Sequence, residues 1–157
     1  MDNKALANQV LADIKNKNKP DAMHKLTTLL DKKADLGNLW GGLTRITLSV
    51  GEIDLALACA NLYFAVAPDE ANRRLQVASI YAETGKISQA IALFTANNSD
   101  DSISGHHFLG TTYSQIGEID LAISHLKTVL QKNPLLGISW LTLASLIRFT
   151  RDDEYLA

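Results

Sequence analysis

Residues 51–56 read Gly51-Glu52-Ile53-Asp54-Leu55-Ala56, and residues 117–122 repeat them letter for letter as Gly117-Glu118-Ile119-Asp120-Leu121-Ala122. Between them lies a degenerate third copy, Gly85-Lys86-Ile87-Ser88-Gln89-Ala90, which places the three glycines 34 and 32 residues apart. A fixed period in this range marks a helical repeat array, because a unit of that size cannot bury its own apolar face and must stack on its neighbours. The expected architecture is an all-α solenoid of antiparallel helix pairs.

Outward from each glycine the pattern is the same. Trp40, Leu43, Thr44 and Thr47 have helical spacing and end at Gly51, where a chain leaving a helix commonly needs a left-handed residue. A second helix is expected from about Asp54 to Ala67, with Asp54 as cap or first-turn anion and Pro68 closing it. Val77, Ala78 and Tyr81 lead likewise to Gly85, and Ala90, Ile91 and Phe94 follow it. Leu109, Gly110 and Tyr113 lead to Gly117, with Ala122, Ile123, Leu126 and Val129 before Pro134. Trp140, Leu143, Ala144 and Ile147 begin a fourth unit. Ala56, Ala90 and Ala122 fall where two helices approach closely, so a larger side chain there would overpack the contact by roughly 1–3 kcal/mol. Thr44, Ala78, Gly110 and Ala144 take the matching small position on the first helix, and Tyr81, Tyr113, Phe94 and Leu126 fill the space between units.

These residues resemble the tetratricopeptide repeat. Residues 37–70 match it through Trp40, Leu43, Gly51, Ala56 and Pro68, and residues 103–136 through Leu109, Gly110, Tyr113, Gly117, Ala122 and Pro134. The middle unit, 71–102, departs from it: Arg74 replaces the opening aromatic, and Asn97-Asn98-Ser99-Asp100-Asp101 replaces the closing proline with a polar elbow. The resemblance implies a tetratricopeptide-like α-solenoid wound as a right-handed superhelix. Residues 1–36, with stripes Leu6, Val10, Leu11, Ile14 and Met23, Leu26, Leu29, Leu30 about the break at Lys15–Pro20, read as a divergent capping hairpin in the same folded domain. Residues 137–157 read as a C-terminal helix and the start of another, which suggests a piece of a longer chain and leaves a face with Trp140, Leu143 and Ile147 open to self-association.

The 157 residues are 46% hydrophobic and 20% charged, an ordinary globular composition. The net charge of −2 gives no global attraction to nucleic acid or an anionic membrane. Residues 1–36 carry net +2 and the rest net −4, a split that a solvated helix surface accounts for. The single cysteine, Cys59, rules out an intramolecular disulfide and fits a reducing compartment. Without a basic start leading into an apolar run, and without an apolar stretch of about 18 residues, neither a secretory signal nor a membrane span is expected. The cytoplasm is the simplest location.

Catalytic chemistry is not visible. His24, His106, His107 and His125 lack metal-ligand spacing, and adjacent His106 and His107 point about 100° apart on a helix, one packed and one facing the groove. Cys59 has no histidine placed to activate it. Gly85-Lys86 resembles the end of a phosphate-binding loop, but Ile80 stands where that loop needs a glycine. Asp100-Asp101 and Asp152-Asp153 read as helix caps, and Arg73 and Arg74 as local charge partners of Asp69 and Glu70. No catalytic residue, metal site or cofactor is expected.

The resemblance makes the first helix of each unit the lining of a concave groove. There it places Asn38, Gly41, Arg45, Asn72, Leu75, Gln76, Ser79, His107, Thr111, Leu141, Ser145 and Arg148. The mixture is mostly neutral and polar and lacks the Lys and Asn set with which chaperone-binding members grip a C-terminal carboxylate. Arg45 and His107 suit an acidic peptide. The chain is therefore expected to be a non-catalytic scaffold that binds a protein or peptide. A second expectation rests on Ser139-Trp140-Leu141-Thr142-Leu143-Ala144-Ser145 and Arg148-Phe149-Thr150-Arg151-Asp152-Asp153, which resemble the last repeat of bacterial proteins whose tetratricopeptide units precede a sulfotransferase domain. That would make the chain a helical arm presenting acceptor to a catalytic domain it does not itself contain.

Overall fold

The structure, a computed structural model, describes residues 2–68, 70–96 and 101–147. Among the described residues there are nine helices and no strand: α1 (Asn3–Lys15), α2 (Lys19–Asp31), α3 (Leu39–Ser49), α4 (Ile53–Val66), α5 (Ala71–Glu83), α6 (Ile87–Thr95), α7 (Ile103–Gln115), α8 (Ile119–Lys132) and α9 (Gly137–Leu146). They fall into two units, Met1–Thr84 with α1 to α5 and Gly85–Ala157 with α6 to α9.

The repeated hexapeptide folds the same way in both units. Gly51 sits at φ +81° between α3 and α4, and Gly117 at +81° between α7 and α8. A side chain at such a φ costs roughly 1–2 kcal/mol, which is why glycine stands there. The residue after each glycine bonds five positions back, Glu52 N–H to Thr47 O at 3.2 Å and Glu118 N–H to Tyr113 O at 3.0 Å. This satisfies carbonyls that the ending helix leaves without partners. The next helix starts at once, with Asp54 or Asp120 in its first turn beside the positive end of the helix dipole. Ala56 and Ala122 follow and are fully buried, as is Ala90 in the third copy.

In the first unit α1 and α2 form a hairpin whose Ala7, Val10, Ala22, Leu26 and Leu29 join Trp40 and Leu43 of α3 and Cys59 of α4 in one core. At such sites a fully buried Leu contributes about 1.5–3 kcal/mol. Leu6, Leu11, Ile14, Met23 and Leu30 of the two sequence stripes flank this core, partly buried. The indole N–H of Trp40 donates to Ala34 O at 3.1 Å. The break before α2 is made by Lys17 at φ +60°, and Pro20 sits in the first turn of α2, where its missing N–H costs nothing. Against α4 lies α5, with Arg73, Arg74, Val77 and Ala78 buried.

In the second unit α6 meets α7 through an edge-to-face contact of Phe94 with Phe108, ring centroids 5.1 Å apart. Helices α7 and α8 pack closely because Gly110 has no side chain: a Cβ there would lie 2.7 Å from Leu126 Cγ and 3.3 Å from Ala122 O. Ser102, not the adjacent Asp101, caps α7, its Oγ accepting from Gly105 N–H at 2.9 Å. Leu143 of α9 is fully buried with Leu126 and Leu130 of α8, and Trp140 and Ile147 pack on the same cluster. The face of α9 expected to stand open is therefore its contact with α8. The large apolar residues exposed in this stretch, among the described residues, are Leu135, Ile138 and Leu141. The polar elbow at 97–100, the further helix expected after 147 and the capping pair Asp152-Asp153 lie outside the described residues.

Candidate binding cleft

A cleft of about 750 Å³ opens in the first unit between α3 and α5. Six of the residues expected to line a groove lie on it: Asn38, Gly41, Arg45, Leu75, Gln76 and Ser79. Leu48, Ile80 and Tyr63 supply apolar wall, and Glu83 the one acidic group in the lining.

Tyr63 of α4 reaches the cleft because residue 41 is glycine. A Cβ at Gly41 would meet the ring at 3.0 Å, whereas one at Gly42 would meet nothing within 4 Å. The ring is held from both sides: its hydroxyl donates to Gln76 Oε1 at 3.2 Å, and Arg73 lies over its face, Cζ 4.4 Å from the centroid. The side chain of Arg73 is only 7% exposed, so its charge needs partners. It has Glu70 Oε2 at 3.2 Å, the Tyr63 carbonyl at 3.1 Å and Asn38 Oδ1 at 2.8 Å. The local pairing with Glu70 is present, and the other contacts extend it. A planar, five-donor guanidinium can satisfy three acceptors and a ring at once; an ammonium cannot.

The wall is thus largely self-satisfied. Ser79 Oγ donates back to Leu75 O at 2.9 Å, and Asn38 Oδ1 and Gln76 Oε1 are each engaged. Arg45 is exposed and has no hydrogen-bond or ion-pair partner among the described residues. It is the charged donor that this cleft offers to a ligand.

The remaining expected residues lie elsewhere. Asn72 is exposed on α5, outside the cleft lining. In the second unit His107 Nδ1 lies 2.9 Å from Ser139 Oγ on α9, and burial lowers its pKa. Thr111 donates to the carbonyls of His107 and Phe108, and Ser145 is exposed on α9, bonded to Thr142 O. Arg148 lies outside the described residues. Cys59 is fully buried, its thiol pushed up to about 12 by that burial. Among the described residues no three His, Cys, Asp or Glu side chains converge as metal ligands, and no helix is long and apolar enough to cross a membrane.

A further contact joins α7 to α8 through two histidines. His106 is not packed alone, since its Nδ1 lies 2.8 Å from Nδ1 of His125 on α8. The signal was in the repeat register: His106 precedes its turn glycine by 11 residues and His125 follows it by 8, as Trp40 and Cys59 stand about Gly51. Those two share a core cluster.

Helix order, left-handed turn glycines and buried repeat alanines define a tetratricopeptide-like α-solenoid of antiparallel helix pairs. The fold is shared with MamA, a tetratricopeptide-like helical protein. One MamA crystal structure aligns at a TM-score of 0.67 with 13% identity, over 92% of this chain and 80% of that one. A second aligns at 0.63 with 15% identity, over 84% of this chain and 79% of that one. No family model matches the sequence, and no curated protein matches it.

Proposed function

We propose that this chain is a non-catalytic protein-interaction scaffold, built as a capping hairpin (1–36), three repeats (37–70, 71–102 and 103–136) and a closing helical segment (137–157), and that the cleft between α3 and α5 binds an extended peptide. The observation that carries the reading is Arg45, an exposed cation without a hydrogen-bond or ion-pair partner among the described residues, beside a cleft whose other polar groups are mostly engaged with one another. An acidic side chain on the peptide would meet Arg45, and its apolar neighbours would lie on Leu48, Leu75 and Ile80. Asn38, Gln76 and Ser79 hold the wall in shape, and Asn72 lies beyond it on the same helix as Gln76. His107, Thr111 and Ser145 are proposed as partner-facing residues of the second unit taken by itself, and Arg148, proposed with them from the sequence, lies outside the described residues.

The test is selection of peptides from a random display library on the full chain, followed by titration of the best binders. Arg45→Glu should weaken an acidic binder at least tenfold, the scale of one charge-assisted contact made repulsive. A peptide with its acid changed to Lys should recover on Arg45→Glu. Unchanged affinities in both titrations would remove the cleft from the proposal.

Nothing in the geometry favours the sulfotransferase arm. Ser139 to Ser145 form most of α9, and residues 148–153 lie outside the described residues. Among the described residues, Leu135, Ile138 and Leu141 are the large apolar side chains that self-association through α9 would use, because Trp140 and Leu143 face α8. Concentration-dependent mass in light scattering, abolished by Leu141→Glu, is its signature.

A further inference from the structure

The α7–α8 hairpin holds a row of polar side chains for which the cleft has no use. Lys132 Nζ, in the last turn of α8, donates to Asp101 Oδ2 at 2.5 Å and to the Asp101 carbonyl at 2.6 Å. Asp101 Oδ1 lies 3.0 Å from His106 Nε2, and His106 Nδ1 lies 2.8 Å from His125 Nδ1. The ring of Tyr113 stacks on His125, centroids 5.7 Å apart and planes at 10°.

The proton positions follow from the partners. An ionised carboxylate only accepts, so His106 Nε2 carries the hydrogen that faces Asp101. Nδ1 of a neutral His106 is then an acceptor, and Nδ1–H of His125 donates to it. One additional proton leaves every contact intact: His106 donates on both sides, and His125 accepts through Nδ1. A second sets N–H against N–H and like charge against like charge across 2.8 Å. His107 differs, because the Ser139 hydroxyl both donates and accepts and can reverse its role.

We propose that His106 and His125 form a pH-sensitive latch on the α7–α8 hairpin, closed while the pair carries at most one extra proton and opened by the second. Among the described residues the charged groups set against the pair are Asp101 and, behind it, Lys132; α6 and α9, the other helices packed on α7 and α8, contain no titratable residue. Asp101 directly precedes the Ser102 cap, so the latch joins the start of α7 to α8 far from the Gly117 turn. In the first unit Trp40 and Cys59 occupy the same register within a core cluster and cannot report on mild acid. Burial, and after it the charge of His106, lowers the His125 pKa in the folded chain. The unfolded chain therefore takes up this proton first, so stability is full above about pH 6.5 and falls as pH drops through and below that value.

The test uses the full chain and His125→Asn, whose amide sits where Nδ1 does and bonds without titrating. Between about pH 7.5 and about pH 5 the wild type should lose roughly 4 °C more in Tm than this variant. His24→Asn, at an exposed histidine, should follow the wild type. Nitrogen-15 NMR of the wild-type imidazoles should show His106 and His125 titrating in two linked steps. Parallel melting profiles for wild type and His125→Asn, or independent single titrations of the two rings, would overturn the latch. If His125→Asn does not fold, the NMR titration of the wild type decides alone.

Discussion

Arg73 donates through Nη2 to the side-chain oxygen of Asn38 at 2.8 Å, joining the start of α3 to α5 across 35 positions of sequence. A hydrogen bond from a buried cation is worth about 2 kcal/mol, so Asn38→Ala should destabilise the first unit by about that much. Arg73→Lys should cost a similar amount, since Lys cannot serve Asn38, the Tyr63 carbonyl and Glu70 together. Urea unfolding followed by Trp40 fluorescence in a Trp140→Phe background reads the change. An unmoved midpoint in both variants would show that this bond adds nothing to stability.

Gly110→Ala should destabilise the second unit by roughly 1–3 kcal/mol through overpacking, because the new Cβ would lie 2.7 Å from Leu126 Cγ. Leu126→Ala alone should cost about 2–5 kcal/mol, since Leu126 is fully buried. The double variant should be more stable than the sum of the two losses predicts, as the new methyl enters the space that Leu126 leaves. Thermal melts of the three variants give the coupling, and strict additivity would mean that α7 and α8 do not meet at this point.

Cys59 gives the first unit an alkaline limit. Its thiol ionises at an ordinary value of 9.0 when exposed but only at about 12 in the fold. A folded pKa raised in this way leaves stability whole below 9.0 and drains it as pH rises towards 12. The wild type should lose more stability over that window than Cys59→Ala. In native buffer a thiol reagent should label Cys59 only through opening of the unit, at a rate that urea accelerates; prompt labelling of the native chain would contradict its burial.

Gly41→Ala should displace the Tyr63 ring and with it the hydroxyl bonded to Gln76, whereas Gly42→Ala adds a methyl in open space. The first should weaken a cleft-selected peptide several-fold and the second leave it nearly unchanged, as a peptide titration of each variant would show. Equal effects would place the peptide away from the ring.

The repeat register was legible because it is written in backbone requirements. A left-handed turn admits few residues but glycine, so Gly51, Gly85 and Gly117 mark three turns, and the alanines behind them mark three fully buried positions. The α4 boundaries came within a residue or two for the same reason. Side-chain partners were less legible, because polar groups on different helices choose one another after the helices have packed. Nearness in sequence points Arg73 to Glu70 but gives no sign of Asn38 or the face of Tyr63. Metal-ligand spacing gives no sign of the pairing of His106 with His125, 19 residues apart, whereas repeat register does. The sequence pattern predicts an uncovered apolar face on α9, whereas α8 covers it through Leu126 and Leu130.

Gly41 leaves Tyr63 room by the absence of a single carbon. Glycine and alanine codons differ at one base, so the contour of this cleft lies one nucleotide change from a different shape. Such a change would reshape the wall against which the proposed peptide lies and leave Arg45, its proposed charged contact, untouched.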